Sequence, residues 1–337
     1  MATIAIDARD ARVAPLRGWG RYVHELVAAL KRGGHEGFDL RVVNRGGPGP
    51  ELLFEQVGLP RALRRSGADL VHAPNCFLPL RRPCPGVVTI HDLAFEAHPE
   101  DFSRRTGWKY RTFAPRAARS AERVICVSEH TRGDVCERYG VDHARTRVVY
   151  SAPCLAGSDE EPPPGPYLLA VGDLRRKKNL LRLVRAFRAL RTEGLPHRLV
   201  LAGLDLGAGE RVRAEAGQAP VELTGYVSDA RLDALIRGAD LLVYPSLYEG
   251  FGLAIVEAMA RGCPVAAANT TSLPEAGGEA AAYFDPLDEE DMAAAIRAVT
   301  EDRGRRTEMV ERGRARAAEL SWERTARETA GIYRELV

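Results

Sequence analysis

The chain has 337 residues, of which 45% are hydrophobic and 28% charged, and its net charge is +2. That length suits two domains of about 150 residues each, and the near-neutral charge argues against a nucleic-acid binder. No apolar run reaches the roughly 18 residues of a membrane span, and the N-terminal MATIAIDARD lacks the basic start and apolar stretch of a signal peptide. We therefore expect a cytoplasmic protein.

The first half of the chain alternates short strand-like runs with amphipathic segments. The predicted strands are 3–8, 39–43, 68–73, 86–92, 123–128 and 147–150. Apolar residues at helical spacing predict a helix over 23–30, and a second helical segment lies at 104–121. Apolar strands separated by helices indicate a parallel sheet that is covered on both faces.

A linker is predicted at 156–166, which is polar and proline-rich and has no periodic apolar face. The strand and helix pattern then begins again. The second set of predicted strands is 167–173, 198–203, 221–227, 239–246, 264–269 and 281–285. Asn179 is the predicted cap of the helix after the first of these strands, and Ser321 is the predicted cap of the last helix.

Together these elements predict an α/β protein with two tandem doubly wound domains, 1–155 and 167–320. A C-terminal helix follows at 321–337, and one hypothesis is that it packs back on the first domain. Doubly wound sheets bind ligands at the carboxyl ends of their strands, so two such domains would offer a deep cleft between them.

Two turns in the second domain have the features of anion sites. In the first turn, VGDLRRKKN, Gly172 permits a sharp bend, and Lys177 and Lys178 come just before a helix. Ammonium groups beside helix N-terminal N–H groups suit a phosphate or pyrophosphate, although a solvated basic loop has the same sequence pattern. The pattern G-x-x-x-x-G-K-[ST] is missing, which excludes a P-loop.

The second turn lies in the stretch YPSLYEGFGLAIVEAMARGCPV. Gly250 and Gly252 allow the backbone to bend sharply and to approach a ligand, and a helix follows from Leu253. Glu249 lies in this loop, and Glu257 lies inside the apolar helix, where a carboxylate is costly unless it is paired or hydrogen-bonded. Sugar or ribose hydroxyl groups are suitable donors for it, and a nearby arginine or solvent is the alternative.

The first domain carries fewer candidate site residues. His91 and Asp92 follow a predicted strand, where an α/β domain places ligand contacts, although a lone histidine is more often structural. The glycine turn RGWGRY, residues 17–22, does not fit the G-x-G-x-x-G dinucleotide pattern. No C-x-x-C pair or metal-like spacing occurs among the cysteines, which are predicted to be reduced, inert thiols. They are Cys76, Cys84, Cys126, Cys136, Cys154 and Cys263.

These motifs resemble those of the retaining GT-B glycosyltransferases of family 4, in particular their bacterial mannosyl- and rhamnosyltransferase-like members. The resemblance rests on Glu249-GFGLAIV-Glu257, GDLRRKKNL, GWGRY, FEQVGLPRAL, ADLVHAPN, TIHDL and VICVSEHTRGDV. It extends from Ile4 to about Tyr333. It implies the GT-B architecture, with two Rossmann-like domains that face a deep cleft, the acceptor on the first and a nucleotide-sugar donor on the second.

The resemblance also implies roles by position. His91 would lie beside the transferred sugar, Glu249 near its reacting end, and Lys178 on the diphosphate. Glu257 would bind the ribose hydroxyl groups. Lys177 stands where the family usually has arginine, so it would supply a positive charge but not the two parallel hydrogen bonds that an arginine can donate to a phosphate.

The other implied donor contacts lie in turns and loops. The backbone of Phe251, Gly252 and Leu253 would bind the distal phosphate. Tyr226 and Val227 would lie in the loop that lines the binding site of the nucleotide base. The glycines implied at the donor site are Gly18, Gly20, Gly172, Gly250 and Gly252.

The implied activity is transfer of a hexose from a GDP-, UDP- or dTDP-linked donor to a hydroxyl group of a glycan, glycolipid or natural product, with retention. No cofactor is implied, and no D-x-D motif suggests a metal-bridged diphosphate. A nucleotide-sugar epimerase of the same fold and a non-catalytic sugar-binding relative are the alternatives. No nucleic-acid partner is expected.

The acceptor is the least defined part of this prediction. Trp19, Arg21, Trp108 and Tyr110 are candidates for acceptor contacts, although packing or solvated surface explains each of them as well. Basic residues along the helix at 104–121 suggest peripheral contact with the inner face of the membrane as one hypothesis, and a soluble acceptor as the other.

Overall fold

The computed structural model describes residues 1–12, 16, 18–34, 37–44 and 50–337. These residues form two compact units, Met1–Ala152 with Leu320–Val337, and Pro153–Glu319. No helix in the described ranges is both long enough and apolar enough to span a bilayer.

The first unit contains a six-stranded sheet. Its strands are β1 (Ala2–Asp7), β2 (Phe38–Val43), β3 (Leu70–Ala73), β4 (Gly86–Ile90), β5 (Arg123–Cys126) and β6 (Thr146–Val148). They are parallel and lie in the order β2-β1-β3-β4-β5-β6. The strand order reverses between β1 and β3, so the loops that follow these two strands border the crevice where such sheets bind ligands.

Helices cover this sheet, and most of its strand residues are fully buried. The helices are α1 (Gly18–Ala29), α2 (Glu51–Leu53), α3 (Leu59–Ser66), α4 (Ala94–Ala97), α5 (Arg104–Ser120) and α6 (Glu129–Tyr139). Ser103 and Ser128 cap α5 and α6, because each hydroxyl oxygen accepts a hydrogen bond from the N–H group three residues later.

The second unit repeats this organisation with a second six-stranded parallel sheet. Its strands are β7 (Tyr167–Val171), β8 (Arg198–Ala202), β9 (Val221–Gly225), β10 (Leu241–Tyr244), β11 (Val265–Ala268) and β12 (Ala282–Phe284). The order β12-β11-β10-β7-β8-β9 is that of a dinucleotide-binding Rossmann sheet, and it reverses between β7 and β10. The helices are α7 (Leu180–Thr192), α8 (Gly209–Ala216), α9 (Asp229–Gly238), α10 (Leu253–Ala260), α11 (Leu273–Gly277), α12 (Glu289–Thr300) and α13 (Arg303–Ala318).

The last helix, α14 (Trp322–Arg334), belongs to the first unit. Ser321 caps it as predicted, with its hydroxyl oxygen accepting a hydrogen bond from Arg324 N. The buried Tyr333 places its hydroxyl group 2.6 Å from His72 Nδ1, and Thr325 Oγ1 donates to Tyr150 O at 2.8 Å. These contacts hold the C-terminal segment against the first sheet.

The prediction of two doubly wound α/β domains is confirmed, and each of the twelve observed strands overlaps a predicted one. The division between the units falls at Ala152 and Pro153, a few residues before the predicted linker. Residues 156–166 form no helix or strand, but they are attached to the second unit, since Ser158 N and Oγ both donate to Asp233 Oδ2 at 3.0 Å.

The predicted side-chain cap at Asn179 is wrong. Asn179 precedes α7, but its backbone is left-handed (φ 57°) and its side chain makes no capping hydrogen bond. Its Nδ2 donates instead to Pro286 O at 2.7 Å. The six cysteines are free thiols, and burial raises the pKa of Cys263 to about 12.

Candidate functional site

An ion pair lies where the strand order of the second sheet reverses. Lys178 follows β7 and Glu249 follows β10, and Lys178 Nζ lies 2.5 Å from Glu249 Oε1. Tyr244, the last residue of β10, has its hydroxyl group 2.9 Å from Nζ and 3.3 Å from Oε1. Two loop residues and the last residue of β10 thus bring three polar groups together at the position where doubly wound sheets bind ligands.

A second lysine extends this cluster. Lys177 Nζ lies 3.8 Å from Glu249 Oε2, and Leu247 N donates to Lys177 O at 2.8 Å, which ties the two loops together. About one eighth of each of the Lys177, Lys178 and Glu249 side chains remains exposed. Two lysine side chains face one carboxylate, and their ammonium groups suit an anionic ligand.

The ionisation of the pair follows from these contacts. Burial alone would raise the pKa of Glu249, but Lys177 and Lys178 outweigh it and hold that pKa at about 2. Burial alone would lower the pKa of Lys178, but Glu249 and Tyr244 raise it above its usual range. Both partners are therefore charged near neutral pH.

The lysine turn is shaped by glycines. Gly172 has φ 142°, and a Cβ atom there would lie 2.8 Å from Lys178 Cε. Gly203, at the end of β8, packs even closer, because its Cβ atom would lie 2.0 Å from Gly172 O. The sequence pattern pointed to Gly172 but not to Gly203, for which the only signal was a glycine that directly follows a strand.

The Glu249 loop is held from a neighbouring loop and leads into α10. Glu249 N donates to Thr271 Oγ1 at 3.2 Å, and Ser272 Oγ donates to Glu249 O at 2.9 Å. Gly252 is left-handed (φ 102°) and provides no side-chain cap for the first turn, which begins at Leu253. Thr271 and Ser272 had no recognisable signal in the sequence.

Glu257 obtains its hydrogen bonds from its own unit. Its Oε1 accepts from Cys154 N at 2.6 Å and from Leu155 N at 2.8 Å, and its Oε2 accepts from Arg261 Nη1 at 2.7 Å. The burial of Glu257 is thus explained without a ligand, by the pairing with arginine that was the alternative to a ribose. Its implied contact with ribose stays a prediction.

Arg261 connects Glu257 to a second buried carboxylate. Its Nε donates to Asp233 Oδ1 at 2.6 Å, and Asp233, whose side chain is 1% exposed, also accepts from Arg237 Nε at 2.8 Å. Arg261 also donates to Leu155 O. This arginine therefore holds the segment after Pro153 against α9 and α10.

Replacing Arg261 by alanine should lower the free energy of unfolding by about 3 kcal/mol, because it leaves two buried carboxylates short of a cation. Arg312→Ala is the matched control, since Arg312 forms an i, i+4 pair with Glu308 in which both side chains are more than half exposed. We expect that change to cost less than about 0.5 kcal/mol. If urea unfolding showed equal losses of unfolding free energy for the two variants, the stabilising role of the buried Arg261 network would be contradicted.

His91 lies in the first unit, directly after β4. Its ring stacks on Trp19 with centroids 5.4 Å apart, and it meets the edge of Tyr22 at 4.7 Å. Nε2 lies 2.9 Å from Pro74 O, so the ring nitrogen that carries the proton is Nε2. Burial lowers the pKa of His91 to about 4, which makes the ring neutral at physiological pH.

This shift predicts a pH dependence of stability. The unfolded chain protonates His91 near pH 6.5 and the folded chain only near pH 4, so the free energy of unfolding should fall as the pH drops between these values, by at most about 3 kcal/mol. His91→Gln should flatten this slope, whereas the same change at the exposed His143 should not. Urea titrations at several pH values measure it, and parallel slopes for all three proteins would contradict the prediction.

The remaining predicted site residues are distributed over both units. Gly18 and Gly20 lie in the first turn of α1, where a Cβ atom on Gly20 would lie 2.7 Å from Asp10 O, so that glycine is needed for packing. Arg17, which begins the glycine turn predicted from the sequence, lies outside the described residues. Tyr226, which is 46% exposed, and Val227 follow the edge strand β9.

The second unit therefore brings together most of the predicted donor contacts. They are Gly172, Lys177, Lys178, Glu249, Gly250, Phe251, Gly252 and Leu253, in the loops after β7 and β10 and the first turn of α10. His91, Gly18 and Gly20 belong to the first unit. Across the described ranges, no group of three His, Cys, Asp or Glu side chains is arranged to hold a metal ion.

Two family descriptions match successive parts of the chain. Residues 157–316 match the family described as glycosyl transferases group 1, and residues 40–152 match glycosyltransferase family 4. O-antigen chain mannosyltransferase B of Escherichia coli is 31% identical over 300 residues, which cover 82% of this chain and 76% of that protein.

A second relative and a solved structure extend these similarities. The MMP alpha-(1->4)-mannosyltransferase of Mycolicibacterium hassiacum is 27% identical over 321 residues, covering 87% of this chain and 76% of that protein. Sucrose-phosphate synthase from Thermosynechococcus elongatus superposes with a TM-score of 0.74 at 22% identity, over 99% of both chains. The fold is therefore the GT-B architecture.

Proposed function

Because the chain belongs to the group 1 glycosyltransferases, in family 4, we propose that it transfers a hexose, mannose in particular, from a nucleoside-diphosphate sugar to a hydroxyl group of a glycan or related acceptor. The observation that carries the proposal is the pair of lysines around Glu249 where the strand order of the second sheet reverses. The names of two relatives favour mannose as the sugar.

The charge of this cluster fits the chemistry. When the bond between the anomeric carbon and the phosphate oxygen breaks, its electron pair stays on the diphosphate. Lys178, Lys177 and the first-turn N–H groups of α10 supply positive charge to that leaving group. The diphosphate displaces Glu249 from part of its contact with Lys178, and Glu249 then faces the sugar.

We propose that transfer proceeds with retention and without a metal. The acceptor oxygen forms its bond to the anomeric carbon on the face from which the diphosphate departs, and the acceptor proton passes to the departing phosphate oxygen. This route needs no carboxylate nucleophile. A neutral His91 serves it as a hydrogen-bonding group beside the sugar.

The test begins with the donor. Purified protein is heated with GDP, UDP or dTDP, and we expect one of them to raise the melting temperature through binding to the folded state. The matching nucleotide-mannose is then incubated with protein and an oligomannoside after exhaustive EDTA treatment. Formation of an α-linked product supports the proposal, whereas a strict need for Mg²⁺ or Mn²⁺, or inversion, would remove the metal-free retaining mechanism.

The same assay separates the alternatives. Isomerised nucleotide sugar formed without an acceptor would indicate an epimerase. Nucleotide binding without turnover of any sugar donor would indicate a non-catalytic relative.

We also propose that the protein works in the cytoplasm and contacts anionic lipids through α5. The positive charge on the surface of α5 is smaller than the sequence predicts, because Lys109 forms ion pairs with Glu51 and Glu55. Other arginines of α5 remain exposed, and Arg116 and Arg119 line a shallow basic pocket of about 370 Å³. Co-sedimentation with anionic liposomes at low salt tests this contact, and an unbound protein would refute it.

A further inference from the structure

The first unit has a pocket of its own where its strand order reverses. It has a volume of about 420 Å³, within the roughly 300–1,000 Å³ range of small-molecule sites. Asp10, from the segment after β1, and Asn75, from the segment after β3, both line it, and Asn75 Nδ2 donates to Asp10 Oδ2 at 2.9 Å. The implied donor contacts leave this pocket unused.

Asp10 presents a hydrogen-bond acceptor to the pocket. Asn75 is oriented by Phe77 N, which donates to Asn75 Oδ1 at 3.4 Å. Its amide group therefore binds Oδ2 of Asp10, while Oδ1 of Asp10 meets no hydrogen-bond donor within the described part of the chain. A half-buried carboxylate with an open oxygen accepts hydrogen bonds well from a ligand's hydroxyl groups.

The walls of the pocket are aromatic. The Tyr110 ring lies 5.4 Å from that of Trp19 and 4.7 Å from that of Phe77, which makes a packed cluster. Trp108 also lines the pocket and is 56% exposed, so its ring is accessible to a ligand. One face of a pyranose ring carries mostly C–H groups and packs on aromatic rings, while its hydroxyl groups need acceptors.

The charges in the pocket disfavour an anionic ligand. Lys109 Nζ is bound 2.8 Å from Glu51 Oε2 and 3.0 Å from Glu55 Oε1, so its charge is neutralised. Arg105 lies exposed in the first turn of α5, where water and salt weaken its attraction. Asp10 is more buried than Arg105, and its charge would repel a phosphate or carboxylate group.

We propose that this pocket binds the terminal pyranose of a neutral glycan acceptor, with Asp10 accepting hydrogen bonds from the sugar hydroxyl groups and Trp108 packing on the ring. The proposal rests on the proposed transfer activity. Trp19 connects the pocket to the proposed reaction, because it lines the pocket and stacks on His91, the residue expected beside the transferred sugar.

Binding can be measured without any donor. Mannobiose is titrated into the protein and followed by saturation-transfer NMR and tryptophan fluorescence, in parallel with mannose 6-phosphate and glucosamine. We expect mannobiose to bind more tightly than the phosphorylated sugar. Asp10→Asn and Trp108→Ala should each raise the Kd for mannobiose at least about tenfold.

Asp159→Asn is the matched control, since Asp159 is exposed and lies in the second unit. The nucleotide-induced rise in melting temperature should be the same in all these proteins, which shows that the variants are folded. Preference for mannose 6-phosphate or glucosamine, or unchanged mannobiose binding by both variants, would overturn the proposal. Failure of every nucleotide to bind would instead count against the proposed function.

Discussion

Lys178→Ala is expected to lower the rate of sugar transfer at least about 100-fold, because it removes a cation that we propose stabilises the departing diphosphate. Its Nζ is 2.5 Å from Glu249, whereas Lys177 Nζ is 3.8 Å away, so the second lysine cannot fully replace it. The loss should appear mainly in kcat, since charge on the diphosphate develops as the bond breaks. Initial rates at saturating donor measure it.

The same substitution should also weaken the fold. Among the described residues, Glu249, with a side chain 12% exposed, would keep only the more distant Lys177 as a cationic partner. We expect the free energy of unfolding to fall by about 3 kcal/mol. Lys31→Ala, at an exposed lysine of the first unit, should change neither quantity. A Lys178→Ala enzyme with normal kcat would mean that another group neutralises the leaving diphosphate.

The strands were predictable because their signal is local. Runs such as YLLAV and LLVY are apolar, and apolar runs between helices form buried parallel strands. The reversal of strand order between β7 and β10 then follows from the usual connections of doubly wound sheets. A lysine loop and a glutamate loop, 71 residues apart, were assigned to one donor site from their sequence motifs and the family resemblance, and the reversal explains why they meet.

Partners that come from remote segments were not predictable. Glu257 is bonded to Cys154 and Leu155, more than 100 residues earlier, through backbone N–H groups that carry no residue-type signal. Asn179 has the residue type of a helix cap, but its left-handed backbone and its bond to Pro286 override that local preference. In both cases tertiary contacts decided which hydrogen bond was made.

The pocket of the first unit illustrates the same limit. Asp10 lies in a polar segment after the first strand, where an aspartate is unremarkable by type and spacing. Its importance follows from Asn75, which is 65 residues away and reaches it only because β1 and β3 are neighbours. Trp108 and Tyr110 could be named as acceptor candidates from the sequence, but not distinguished from packing residues.

Gly203→Ala should disrupt the proposed donor site without changing a charged group. A Cβ atom at this position would lie 2.0 Å from Gly172 O and 2.4 Å from Gly172 C, and neither backbone atom can move without shifting the turn that carries Lys178. We expect the free energy of unfolding to fall by about 3 kcal/mol, at the upper end for overpacking. Nucleotide affinity should fall at least about tenfold, because the lysines would no longer face Glu249 at their present distances.

Gly133→Ala separates this steric effect from the general cost of losing a glycine. Gly133 lies inside α6, where nothing lies within 4 Å of an added Cβ atom, so alanine there should be neutral or stabilising by up to about 1 kcal/mol. Urea unfolding and nucleotide titration compare the two variants. If Gly203→Ala kept both its stability and its nucleotide affinity, the Gly172 turn would have to move to accommodate the methyl group. In that case the close packing of Gly203 would not be responsible for the position of Lys178.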